Sequence, residues 1–190
     1  MTFRTVFYSI IPLLAATILL SACGGFFGDD GIAYRTESPV KARLVFAADA
    51  LRGAIVRYKI ARNPPAGQRI ERARWDTRTG IKAELMLIEA PTGARRPPDP
   101  RDLTGDFPGL IRLNASFGDL YESETANGNA LWRRFVAGDR TCMIFRQDLA
   151  GLAEVPGSRL LSGYYCARPG ATFTVLDAAA TLRTVGLKQN

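Results

Sequence analysis

The chain contains no histidine, so its reactive side chains are acids, arginines, hydroxyls and thiols. Serine and cysteine nucleophile systems built on an imidazole base are excluded, as are His-ligated zinc and imidazole acid–base work. Asp119, Glu122 and Glu124 form the densest acidic cluster. A glycosidase-like pair needs two carboxyl groups about 5–9 Å apart across a cleft, whereas acids beside Asn127-Gly128-Asn129 also read as a solvated turn. Asp99, Asp102 and Asp106 carry oxygen ligands suited to calcium, but their spacing does not match an EF-hand loop. Arg133-Arg134, flanked by Trp132 and Phe135, could form an anion or carbohydrate contact. Alternation along a strand puts neighbouring residues on opposite faces, so an ordinary amphipathic strand accounts for them equally. No catalytic residue, cofactor or metal site is assigned.

Ser38-Pro39-Val40-Lys41 spells S-x-x-K, and Arg78-Thr79-Gly80 resembles the K-T-G box of penicillin-binding proteins and serine β-lactamases. No S-D-N element lies between the two, and the chain is shorter than that fold requires. Ser38 before Pro39 is better explained as a helix cap followed by proline at the first helical position.

The strongest motif is an address. Arg4 precedes a run from Val6 to Leu20 that is almost wholly apolar and ends in Leu20-Ser21-Ala22-Cys23. This string resembles the lipobox of bacterial lipoproteins. The resemblance implies that residues 1–22 are a signal peptide, that cleavage precedes Cys23, and that the Cys23 sulfur carries a diacylglyceryl group. A retained membrane helix needs roughly 20 apolar residues, and this run is shorter and contains Pro12. One acyl chain binds a bilayer marginally, while two or three hold a protein there almost permanently. Gly24 after the cysteine, where the enteric sorting rule would read Asp as an inner-membrane signal, points to the outer membrane, with the domain facing the periplasm. Residues 23–37, with Gly24, Gly25, Gly28 and Gly31, read as a flexible tether.

Export places Cys142 and Cys166 where thiols oxidise, so an even pair reads as a disulfide. A catalytic thiol is the rival, but it has neither a CxxC partner nor an activating base. Side chains give the whole chain a net charge of +7, and the leader removes only Arg4. The surplus is mostly arginine, with lysine only at 41, 59, 82 and 188. A solvated basic surface explains it, with attraction to anionic lipid or cell-wall polymers as the alternative. Nothing in the basic or aromatic pattern points to nucleic acid.

The elements that must position these groups follow from periodicity. Val40, Leu44, Ala47, Ala48 and Leu51 recur at helical spacing and predict a helix over 39–52, ended by Gly53. Strands are expected over 54–60, 69–76 and 81–89, the last apolar enough to be buried on both faces. Residues 91–108 read as a long loop, 110–117 as a strand and 122–129 as a polar turn region. Gly138-Asp139 between 131–137 and 140–147 is a hairpin signal. It sets Phe135 opposite Cys142 and Trp132 opposite Phe145. A third strand is expected over 159–166; if Cys166 lies opposite Cys142 in an antiparallel pair, Tyr164 falls opposite Ile144. Thr174 and Asp177 predict a capped helix bearing Val175, Ala179, Leu182 and Val185, closed by Gly186. Leu160 to Cys166 with Val185-Gly186-Leu187 resembles the tail of small Gram-negative lipoproteins, which implies no activity.

The expectation is therefore a single α+β domain over 38–190, with an antiparallel sheet, an N-terminal and a C-terminal helix packed on it, and one disulfide. By elimination its role is non-enzymatic: an envelope lipoprotein binding a protein or cell-wall partner, attached to membrane lipid through Cys23. A small carboxylate-dependent hydrolase of envelope polymers and a carrier of a hydrophobic ligand are the alternatives. Oligomeric state is not legible.

Overall fold

The computed structural model describes residues 32–91, 98–111, 113–149 and 158–188. Cys23, the leader and most of the expected tether lie outside the described residues. The strands, in chain order, are β1 (Tyr34–Glu37), β2 (Leu44–Phe46), β3 (Ile55–Ala61), β4 (Arg69–Asp76), β5 (Lys82–Ala90), β6 (Ala115–Thr125), β7 (Gly128–Ala137), β8 (Arg140–Leu149), β9 (Ser158–Cys166) and β10 (Val185–Leu187). One short α-helix, α1 (Val175–Leu182), and four 3-10 turns complete the described part. None of its helices is long and apolar enough to cross a membrane.

Eight strands form one antiparallel sheet in the order β1-β3-β4-β5-β9-β8-β7-β6, and β2 and β10 pair separately. Two four-stranded meanders thus meet edge to edge at β5–β9. The connection from β5 must cross from the sheet's centre to its far edge before β6 begins. Its described part, residues 98–111, lies on one face as a strap. Leu103, Phe107 and Leu110 of the strap are buried with Ile70, Met86, Phe135, Ile144 and Tyr164. On the opposite face, Phe46 of β2 packs edge-on against Trp75 at 5.8 Å and near Tyr165 at 5.9 Å. Ala178 and Leu182 of α1 join the same core. The central strands β5 and β9 are covered on both faces, so they read as nearly continuous apolar runs.

The fold class is corrected by this arrangement: the domain is mostly β, not α+β. Residues 39–52 do not form a helix. Ser38 does cap a turn, accepting from the Val40 amide, but that turn is a 3-10 turn ending at Lys41. A second periodicity wins beyond it. Ala42, Leu44 and Phe46 are buried at spacing two, whereas Val40, on the proposed helical stripe, is 85% exposed. Val45 and Phe46 suit a strand, and pairing with β10 gives their backbone a ladder. The C-terminal helix forms with its Thr174–Asp177 capping box, yet it stops at Leu182, and Val185 pairs with Phe46 in β10.

Two further boundaries change. The last four residues assigned to the tether, 34–37, form β1 on β3. The strand expected at 110–117 begins only at Ala115 and runs through the supposed polar turn region to Thr125, so the turn is Ala126-Asn127. An edge strand facing solvent carries polar residues at alternate positions and loses its apolar signature.

The C-terminal meander follows the hairpin reading. Phe135 lies opposite Cys142 and Trp132 opposite Phe145, while Cys166 lies opposite Cys142 and Tyr164 opposite Ile144. Cys142 and Cys166 are joined as a cross-strand disulfide.

Candidate functional site

Buried charge, rather than a catalytic cleft, organises the two faces. On the β2 side, Glu71 is completely buried and accepts hydrogen bonds from Arg43 Nε at 2.8 Å, Arg69 Nε at 2.8 Å and the Tyr58 hydroxyl. Arg43 also donates to Glu89 through Nη1 at 3.0 Å and Nη2 at 2.6 Å. Burial opposes the charge of Glu89, but the Arg43 hydrogen bonds hold its carboxyl below the ordinary range. Burial, reinforced by Glu71, pushes the Tyr58 hydroxyl well above its usual value. Arg43 thereby ties the segment before β2 to β4 and β5.

On the strap side, Arg72 donates to the Tyr34 hydroxyl at 2.8 Å, to the Asp106 carbonyl at 2.7 Å and to Glu84 at 3.3 Å. Desolvation raises the Glu84 carboxyl, with Arg72 and Arg74 opposing. Phe107 meets Tyr164 edge-on at 5.4 Å. The strap's other end is fixed by Asp99, which accepts from Arg133 Nη2 at 2.7 Å and Nε at 2.9 Å. The Arg133 hydrogen bond lowers the Asp99 carboxyl.

These contacts settle where the sequence candidates sit. Asp99 is an ion-pair partner of Arg133, and no group of three acids or cysteines among the described residues could hold a metal. Arg133 and Arg134 occupy adjacent positions of β7, with Arg133 committed to Asp99 and the Gly118 carbonyl. Thr79 bonds Thr77 in a turn, and Lys41 pairs with Glu37 at 3.6 Å. Asp119, Glu122 and Glu124 are all exposed on β6, and Glu122 accepts from Asn129 Nδ2 at 3.0 Å. They line neither described cleft. Arg43, Glu71, Glu89, Arg72 and Glu84 were missed as a set. The available signal was the density of charge inside β4, where Glu71 and Arg72 occupy opposite faces.

The two clefts flank the strap. One, about 170 Å³, lies between Tyr34, Ile70, Met86, Leu103 and Leu160. The other, about 230 Å³, is walled by Leu110, Ile111, Leu113, Phe117 and Phe135. Both fall below the roughly 300 Å³ at which pockets enclose drug-sized ligands.

The second cleft opens beside the sheet's edge. Ile111 and Leu113, 41% and 39% exposed, line it, and Leu120, 43% exposed, lies further along β6 beyond a register shift. β6 is the terminal strand of the sheet, eleven residues long, and pairs only with β7 among the described residues. Its register shifts between Phe117 and Leu120, a bulge at Gly118-Asp119. The arrangement is an apolar cleft beside an unpaired, acidic strand edge. Comparison with protein families, curated proteins and solved structures finds no match for this chain.

Proposed function

We propose that this protein is an envelope lipoprotein, attached to the outer membrane through acyl chains on Cys23, and that its β domain is a non-enzymatic binding module. The lipobox Leu20-Ser21-Ala22-Cys23 supports the attachment. The binding role rests on one observation: exposed Ile111 and Leu113 line a cleft shared with Ala115 and Phe117 of β6, the terminal strand of the sheet, on which Leu120 is also exposed. An extended segment of a partner protein can add to such an edge through main-chain hydrogen bonds and seat its side chains in the adjoining cleft. Asp119, Glu122 and Glu124 favour a partner segment bearing lysine or arginine. They also disfavour self-pairing, because antiparallel β6–β6 contact centred on these residues sets carboxylates opposite one another.

Photocrosslinking residues introduced singly at Leu113, Leu120, Val40 and Leu176 in intact cells test this. Val40 and Leu176 are 85% and 81% exposed and lie off the edge. The same adduct at 113 and 120, absent at 40 and 176 and weakened by E122K/E124K, is expected. Equal adducts at all four sites, or none at the edge, would overturn the docking role.

A further inference from the structure

The face of β3 and β4 left open beside the strap concentrates positive charge. The register places Thr36 opposite Lys59, Lys59 opposite Arg72, Arg57 opposite Arg74 and Asp76 opposite both Ile55 and Lys82. Paired residues of adjacent strands share a face, so Arg57, Lys59, Arg72, Arg74 and Lys82 stand together. The acids among them are Asp76, which accepts from Arg74 Nε at 3.0 Å, and Glu84, beside Arg72. With Asp106 of the strap, which lines the same cleft as Arg72, five cations face three acids, and the face stays positive. Arg72 is covered by the strap, but Thr36, Arg57 and Lys82 are exposed, Lys59 and Arg74 are partly so, and Ile55 at the corner is 62% exposed. The strands present these charges on a lattice of about 5 Å by 7 Å, a flat cationic surface rather than a pocket.

We infer that this open β3–β4 face is a contact for the anionic phospholipid headgroups of the membrane that anchors the protein. The inference rests on the attachment reading. Only residues 24–31 separate Cys23 from Ile32, and eight residues span at most about 28 Å. Ile32 lies two residues before the start of β1, the strand beside β3. A bilayer holding Cys23 therefore lies within a chain's reach of this face, whose seven-residue β3 strand is about 23 Å long. Attraction of lysine and arginine to an anionic bilayer acts within a Debye length, about 8 Å at physiological ionic strength. The face thus engages only when it is turned toward the bilayer. Ile55 would then sit at the headgroup level.

The test separates this surface from the acyl anchor. The processed chain from residue 23, which contains every described strand, is prepared with Cys23→Ser and mixed with vesicles of neutral phosphatidylcholine or of the same lipid with about 30% phosphatidylglycerol. Binding to the anionic vesicles alone is expected. It should weaken about fivefold for each of R57Q and K82Q, be unaffected by R183Q, and vanish near 0.5 M salt, where the Debye length falls to about 4 Å. Circular dichroism and the intact disulfide establish that each variant is folded. Equal binding to neutral vesicles, no binding to either, or an equal loss from R183Q would overturn the inference. The mass of residue 23 in the native protein is read separately, so an unlipidated Cys23 sinks the attachment reading and a failed vesicle experiment sinks only this surface.

Discussion

Replacing Arg43 by methionine tests whether the buried carboxylates depend on one guanidinium. The substitution keeps most of the side-chain length and removes the charge. Glu71, with no exposed surface, loses two of its donors, and Glu89 loses its Arg43 bonds. Breaking a buried pair by deleting one partner costs about 3–5 kcal/mol. Arg43 keeps 23% of its side chain exposed, Tyr58 and Arg69 still face Glu71, and Arg159 remains 3.1 Å from Glu89. The expected loss is therefore at the low end, about 3 kcal/mol. Urea unfolding at neutral pH reads it, and a cycle with E71Q isolates the coupling. The pH dependence supplies a second check. Glu89 has a depressed folded-state pKa, so its contribution is present above the ordinary carboxylate value and lost as pH falls through the folded value. The gap between the native protein and R43M should narrow below about pH 4. A loss under about 1 kcal/mol at neutral pH, set against the 3–5 expected for a broken buried pair, would refute the reasoning.

Gly109→Ala places a Cβ 2.6 Å from the Tyr164 hydroxyl, whose ring is 1% exposed and cannot swing away. A destabilisation of about 1–3 kcal/mol is expected in urea unfolding, largely restored by adding Tyr164→Phe. Asp99→Asn should lower stability at pH 7, by an amount that shrinks as pH falls through the depressed Asp99 value, because that carboxylate contributes only while it is ionised in the fold; urea midpoints across pH check this. Glu84 acts with the opposite sign. Its folded-state pKa is raised, so it subtracts stability as pH rises from the ordinary carboxylate value through its folded value, a penalty that should be missing from the pH profile of E84Q. Cys142→Ser with Cys166→Ser should cost up to about 3.5 kcal/mol, the loop-closure value for the 24-residue separation, in non-reducing denaturation.

The sequence was most informative where local chemistry sets register. Gly138-Asp139 allows one tight turn, and from it follow the Phe135–Cys142 and Trp132–Phe145 oppositions. The N-terminal segment was misread because Leu44 belongs to two patterns. It lies on the helical stripe with Val40 and Leu51 and on the strand face with Ala42 and Phe46. Only the distant partner β10, contributed by residues 185–187, decides between them. β6 was shortened because an edge strand needs no apolar alternation on its solvent side. The charge networks were legible only in part, for another reason. The charge density of β4 was visible, but Arg43 meets Glu71 and Glu89 across 28 and 46 residues, and separations of that kind do not name the partners. Asp119, Glu122 and Glu124 are close in sequence, and the structure places them along one exposed edge strand.

The attachment of this domain to a membrane is the claim on which its docking edge and its cationic face both depend for their setting. Intact mass analysis of the protein extracted from membranes of its own cells reads it directly. The account predicts a chain beginning at Cys23 and carrying a diacylglyceryl group on its sulfur. A chain that retains residues 1–22, or one that begins at residue 23 with an unmodified thiol, would contradict it.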